Sequence, residues 1–150
     1  MYVRDCKRLT LAGARKMMDS ATSKAENAGY SFSVAIVDAG GHPVLIQRMD
    51  GGRFHTAHSS TTKAVCAASN RRATTAKGAA GQTLDTMHAL VLALAAGAEH
   101  WTAMEGGYAI IFGGDCVGGI GVSGATWEID DQVAREAVEA IGARYEIDAT

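Results

Sequence analysis

Apolar residues recur along this chain with two periods, and the switches between those periods divide it into elements. Leu11, Ala14, Met18, Ala21, Ala25 and Ala28 return at steps of three and four, which predicts a helix over 10–28 with Thr10 as its N-cap. Gly29 is placed to end it in the left-handed conformation. Residues 31–38 (SFSVAIVD) and 43–50 (PVLIQRMD) alternate as strands across a short Ala39-Gly40-Gly41-His42 loop, the pattern of a hairpin. An Asp-Gly-Gly turn leads into a helix over 56–70, followed by a polar, glycine-bearing loop over 71–81. The segment 84–97 is helical and apolar nearly all round, so it is expected to be buried or to lie at a subunit contact.

Further along, 101–104 is ambiguous, with a short strand one option. Residues 107–112 (GYAIIF) and 117–123 (VGGIGVS) flank the turn Gly113-Gly114-Asp115-Cys116 as a second hairpin. A closing helix over 130–144 puts Asp130 and Asp131 at its positive end and Val133, Ala134, Ala137, Val138 and Ile141 on its inner stripe. Two tight hairpins require antiparallel pairing, so the class is α+β, an α/β sandwich rather than a parallel Rossmann sheet. No linker, repeat or low-complexity segment breaks the chain, and 1–150 reads as a single domain.

Composition narrows the partners. The chain has 150 residues, 47% of them hydrophobic, with net charge −2 and neither a basic run nor an acidic tail. That balance argues against nucleic acid or an anionic membrane as the main partner. No stretch approaches the roughly 18 apolar residues of a membrane span, and the first residues lack a signal-peptide core. Cys6, Cys66 and Cys116 have neither redox nor zinc spacing. Reduced thiols and a cytoplasmic location are the expectation.

Chemistry concentrates in MDGGRFHTAHSSTTKAVCAA, residues 49–68. Hydroxyl residues compete with a helix for backbone hydrogen bonds, so a helix crowded with them beside two imidazoles and an ammonium suggests a ligand site. His55 stands at the helix entrance, while His58, Thr61 and Thr62 share a face. An imidazole there offers either a general base or a ligand to iron. Two histidines three residues apart, without a nearby acidic or thiol ligand on the helix, are an incomplete metal set, so no metal site is expected.

Lys63 is open to two roles, an anion clamp or a structural amine paired with Asp50 or a carbonyl. Glu105 precedes Gly106 and Gly107 where a strand begins, which places a carboxylate beside backbone amides. His100 lies just upstream. The glycines at 118, 119, 121 and 124 are not followed by the residues of a nucleotide loop, and they read as room for a closely packed helix or neighbouring subunit.

Taken together, MDG, Lys63-Ala64, Gly106-Gly107 and GGIGVSG at 118–124 resemble the GlcG/HbpS family, also called the haem-degrading domain family. The similarity runs from about Leu9 to Ile141. It implies a profilin-like domain with a central five-stranded antiparallel sheet flanked by helices, assembly into homo-oligomers, and a pocket near the MDG turn, the following helix and the GG strand. Relatives carry a proline where this chain has Glu105, and an aspartate matching Asp130 is common among them. Some of those relatives bind or degrade haem.

Two functions of different class follow. The first is a cofactor-independent enzyme acting by proton transfer (isomerase, tautomerase, lyase or hydrolase) on a small polar or oxo-acid-like metabolite. Glu105, His58 and His100 would be its catalytic groups, and His55, Lys63, Thr62, Asp50, Gly106 and Gly107 would hold the substrate. The alternative is a haem- or tetrapyrrole-binding or -degrading protein, with a histidine or hydroxyl near the iron.

Overall fold

The computed structural model describes residues 1–147. Its elements are α1 (Leu11–Ala28), β1 (Ser33–Asp38), β2 (Pro43–Arg48), α2 (Phe54–Asn70), α3 (Thr86–Ala96), β3 (Gly107–Phe112), β4 (Asp115–Ser123) and α4 (Trp127–Ala140). Thr10 caps α1 as its sequence predicts, its hydroxyl accepting from the Gly13 amide at 3.1 Å. Gly29 closes the helix at φ 75°.

All strand pairing is antiparallel, in the order β2-β1-β4-β3. The expected fifth strand is not present among the described residues. Along the outer side of β3, Arg144 and Ile111 exchange backbone bonds of 2.7 and 2.8 Å, and the Gly107 carbonyl accepts from the Thr74 amide at 2.9 Å. Residues 101–104 form no strand either. The last helix begins at Trp127 rather than Asp130, because Thr126, with extended backbone, starts the turn.

The two faces of the sheet differ in side-chain size, and this decides what packs on each. Val34, Ile36, Tyr108, Ile110, Ile120 and Val122 point to one face and form the main core with Met17, Met18 and Ala21 of α1 and Val133, Ala137 and Val138 of α4. Ion pairing of Lys24 with Glu136 ties those two helices together at the surface. The opposite face carries Ser33, Ala35, Gly107, Ala109, Gly119 and Gly121, and α2 alone lies along it.

Contact there is backbone to backbone. A Cβ on Gly121 would overlap the Ser60 carbonyl oxygen, and one on Gly119 would overlap that of Ala64. On Gly107 it would come within 2.6 Å of the Lys63 oxygen. The glycines of β4 therefore make room for a helix, as their sequence context suggests. Gly121→Ala should cost at least about 2 kcal/mol, because two backbones have to separate to admit one methyl group. Urea unfolding of the purified variant measures this, and stability equal to wild type would contradict the packing described.

Candidate functional site

The hydroxyls of α2 serve the helix and its packing. Thr56 and Ser60 are buried against the sheet, and the Ser33 and Thr56 hydroxyls lie 2.8 Å apart. Thr56 also donates to the Arg53 carbonyl at 2.6 Å, which starts a helix whose N-cap arginine provides no side-chain cap. Ser60 and Thr61 donate back to the Ala57 carbonyl at 3.1 and 2.8 Å. Small residues are needed where a helix touches a strand, and back-bonding satisfies their oxygens without water.

Lys63 takes the structural role, with a partner other than Asp50. Its side chain is 5% exposed; Nζ donates to the Val122 carbonyl at 2.7 Å and to Asp130 Oδ2 at 3.4 Å. Asp130 is equally enclosed, and its Oδ1 accepts from the Ala125 amide at 3.1 Å. The aspartate thus stitches the entry of α4 and ties that helix to α2 around the end of the sheet. Gly106, at φ 107°, leaves the space: a Cβ there would stand 3.0 Å from Lys63 Nζ. Burial pushes the lysine below its usual range and the aspartate above its own, and each partner's charge opposes the shift.

The remaining residues singled out by sequence divide between two ends of the sheet. Glu105 is half-buried beside Gly106 and close enough for its charge to favour the Lys63 ammonium. The Gly107 amide is already donated to Thr74 Oγ1 at 2.9 Å. Asp50 is exposed at the tip of the turn closed by the Gly52 amide on the Met49 carbonyl at 2.9 Å. His55 and His58 are exposed on the first turns of α2 with Thr62 half-buried below them, so all three share one face. Phe54, 76% exposed, meets the His55 ring edge-on at 5.9 Å.

His100 is elsewhere. It lines a cleft of about 420 Å³ with Val65, Ser69, Asn70 and the β1–β2 loop, and its Nδ1 lies 2.8 Å from the Ala96 carbonyl oxygen. Ser69 is eleven residues beyond His58, about 16 Å along the helix axis, and His100 shares its cleft with Ser69. His100 therefore does not join the groups at the other end.

A larger cleft, about 720 Å³, opens at the same end as His100, between residues 4–9, the β1–β2 loop and the β3–β4 turn. Arg4, Lys7, Arg8, His42 and Arg71 line it beside Asp38, Asp115, Cys6 and Cys116. Asp38 shapes one wall by accepting from the Gly40 and His42 amides at 2.9 and 3.0 Å, contacts that hold its carboxyl below the usual range. Arg71 caps α2 at φ 56°, the one non-glycine residue with positive φ among the described residues. That conformation costs an L-residue roughly 1 kcal/mol, and glycine is the usual occupant. The sequence carries one signal for Arg71, an arginine where a helix commonly ends on glycine.

This architecture has known counterparts. Residues 9–139 match the family model described as haem degrading protein HbpS-like. Protein GlcG of Escherichia coli strain K12 is 33% identical over 110 residues, spanning 73% of this chain and 77% of that protein. The crystal structure of Klebsiella pneumoniae protein ORFY superposes with a TM-score of 0.82 at 29% identity, covering 95% of this chain and 96% of that one. A double-mutant structure of Streptomyces reticuli HbpS gives 0.72 at 30% identity, over 91% and 89%. The chain belongs to the HbpS-like haem-degrading protein family, and Protein GlcG is among its relatives.

The Lys63–Asp130 pair is open to test in this setting. Lys63→Met leaves a buried carboxylate unpaired and should cost about 3–5 kcal/mol, whereas Lys63→Met combined with Asp130→Asn should recover part of the loss. Chemical denaturation of the two variants decides it; a single substitution costing under about 1 kcal/mol would show the pair to be solvated.

Proposed function

We propose that this protein binds haem or a closely related tetrapyrrole on the exposed N-terminal face of α2, as a homo-oligomer. The observation that carries the proposal is the pairing of accessible imidazoles with an exposed aromatic ring. His55 and His58 are both exposed, the His58 ring has no hydrogen-bond partner among the described residues, and Phe54 stands alongside. An imidazole nitrogen is a common axial ligand of haem iron, and an aromatic surface suits the edge of a macrocycle. This donor set fits the group. His58 or His55 would hold the iron, with Phe54 against the ring. Bound haem would supply a redox-active metal centre.

Family membership supports this function over proton-transfer catalysis. Lys63 and the Gly107 amide are taken up by the protein's own groups, and His100 stands at the opposite end of the sheet. Glu105 is half-buried and His58 exposed. No helix among the described residues is long and apolar enough to cross a membrane.

Haemin should give a Soret shift at one equivalent per chain, and His55→Ala or His58→Ala should weaken binding at least tenfold while His88→Ala, on α3, leaves it unchanged. Absence of a Soret shift in the wild type would reject haem as the ligand, and wild-type affinity in both variants would reject the α2 face.

The assembly has its own evidence. Met87, Leu90, Val91 and Leu94 are 69, 55, 52 and 70% exposed, a continuous stripe on α3, which has no buried residue. A second copy covering that stripe accounts for it. Sedimentation of the wild type should show a dimer or larger species, and Leu90→Glu with Leu94→Glu should lower the mass towards 15.6 kDa. A wild-type monomer at micromolar concentration would exclude the assembly.

A further inference from the structure

The cationic cleft at the opposite end of the sheet is separate from the α2 face and stands independently of haem. We propose that it is a binding site for a small multivalent oxyanion, a phosphate- or carboxylate-bearing metabolite, with Arg71 as its anchoring guanidinium.

Uncommitted charge is the first support. Lys7 is occupied, its Nζ 3.2 Å from Asp115 Oδ2, and this pair pins the N-terminal segment across the β3–β4 turn. Arg4, Arg8 and Arg71 make no ion pair with any described residue, although all three line the same cleft. In a chain of net charge −2, three unpaired guanidiniums around one concavity are a local reversal of sign. Guanidiniums present forked donors that match carboxylate and phosphate oxygens, and the volume of about 720 Å³ lies within the range of metabolite sites.

Backbone strain is the second support, and it is independent of charge. A helix ending in the left-handed conformation has glycine available at no steric cost. Here the position holds Arg71, at φ 56°. The side chain that this residue brings lines the cleft, near enough to Cys116 for its charge to oppose the rise that burial imposes on the thiol. Strain of this kind persists where a particular side chain is needed at a particular place.

The facing wall is preorganised. Asp38 fixes the loop that carries His42, and its carboxylate lies 3.3 Å from His42 Nδ1.

Arg71→Gly separates the two contributions of this residue. Glycine relaxes the backbone, so the variant should keep or raise the melting temperature, and it removes the guanidinium. Isothermal titration calorimetry with inorganic pyrophosphate and with citrate, at low ionic strength, should show one site per chain in the wild type. Affinity should fall at least tenfold in Arg71→Gly, with partial recovery in Arg71→Lys. A preference for pyrophosphate would assign the site to phosphate esters, and a preference for citrate to polycarboxylates. Equal affinity in wild type and Arg71→Gly, or no binding of either probe by the wild type, would overturn the proposal.

Discussion

Backbone contact between α2 and the glycine strand β4 is the constraint on which the rest of the molecule depends. Gly119 and Gly121 bring the helix closer than any side chain would allow, and Gly107 on β3 extends the same floor. At that separation, large apolar residues have no space, so apart from Lys63 the inner face of α2 is alanine, serine, threonine and cysteine. The hydroxyl content that first suggests a ligand site is thus largely a packing requirement. It also explains the asymmetry of the core, with the bulky aliphatic and methionine side chains gathered on the face covered by α1 and α4.

The same approach puts Lys63 where its chain must run past the end of β4. The ammonium can then be satisfied only by the Val122 carbonyl and by a carboxylate from α4, which Asp130 supplies. A buried ion pair recovers through geometry what it loses in hydration, and its net contribution to stability can be small. Its consequence here is positional: one lysine fixes the helix on one face of the sheet relative to a helix on the other. Gly106 is part of the device, since a methyl group at that position would crowd both partners.

Much of this was legible in the residues. Periodicity located α1, β1, β2, α2, β3 and β4 to within a few residues, and the two glycine-bearing turns fixed the antiparallel class. The absence of a fifth strand was not legible, because the family resemblance implies one and the ambiguous segment 101–104 offers a candidate for it; among the described residues 101–104 forms no strand and an isolated bridge joins Arg144 to Ile111. Lys63 was recognised as notable, but its partner lies 67 residues away on α4, where Asp130 reads locally as a helix-end charge. The division of His58 and His100 between opposite ends was equally hidden, since neither has a sequence neighbour that reports which end of the sheet it faces.

The surface of α3 follows from local energetics rather than from the core. Eleven residues are too few for a stable isolated helix in water, where about 12–15 are marginal even for alanine-rich sequences. Its N-cap is sound, with Asp85 accepting from the His88 amide at 2.8 Å, but a cap contributes only about 1 kcal/mol. None of its residues is buried within the single chain, and its apolar stripe is turned to solvent. Burial of that stripe would stabilise helical order in such a segment. In the proposed homo-oligomer a symmetric partner would provide that burial, because in a two-fold contact the same stripe supplies both sides of the interface.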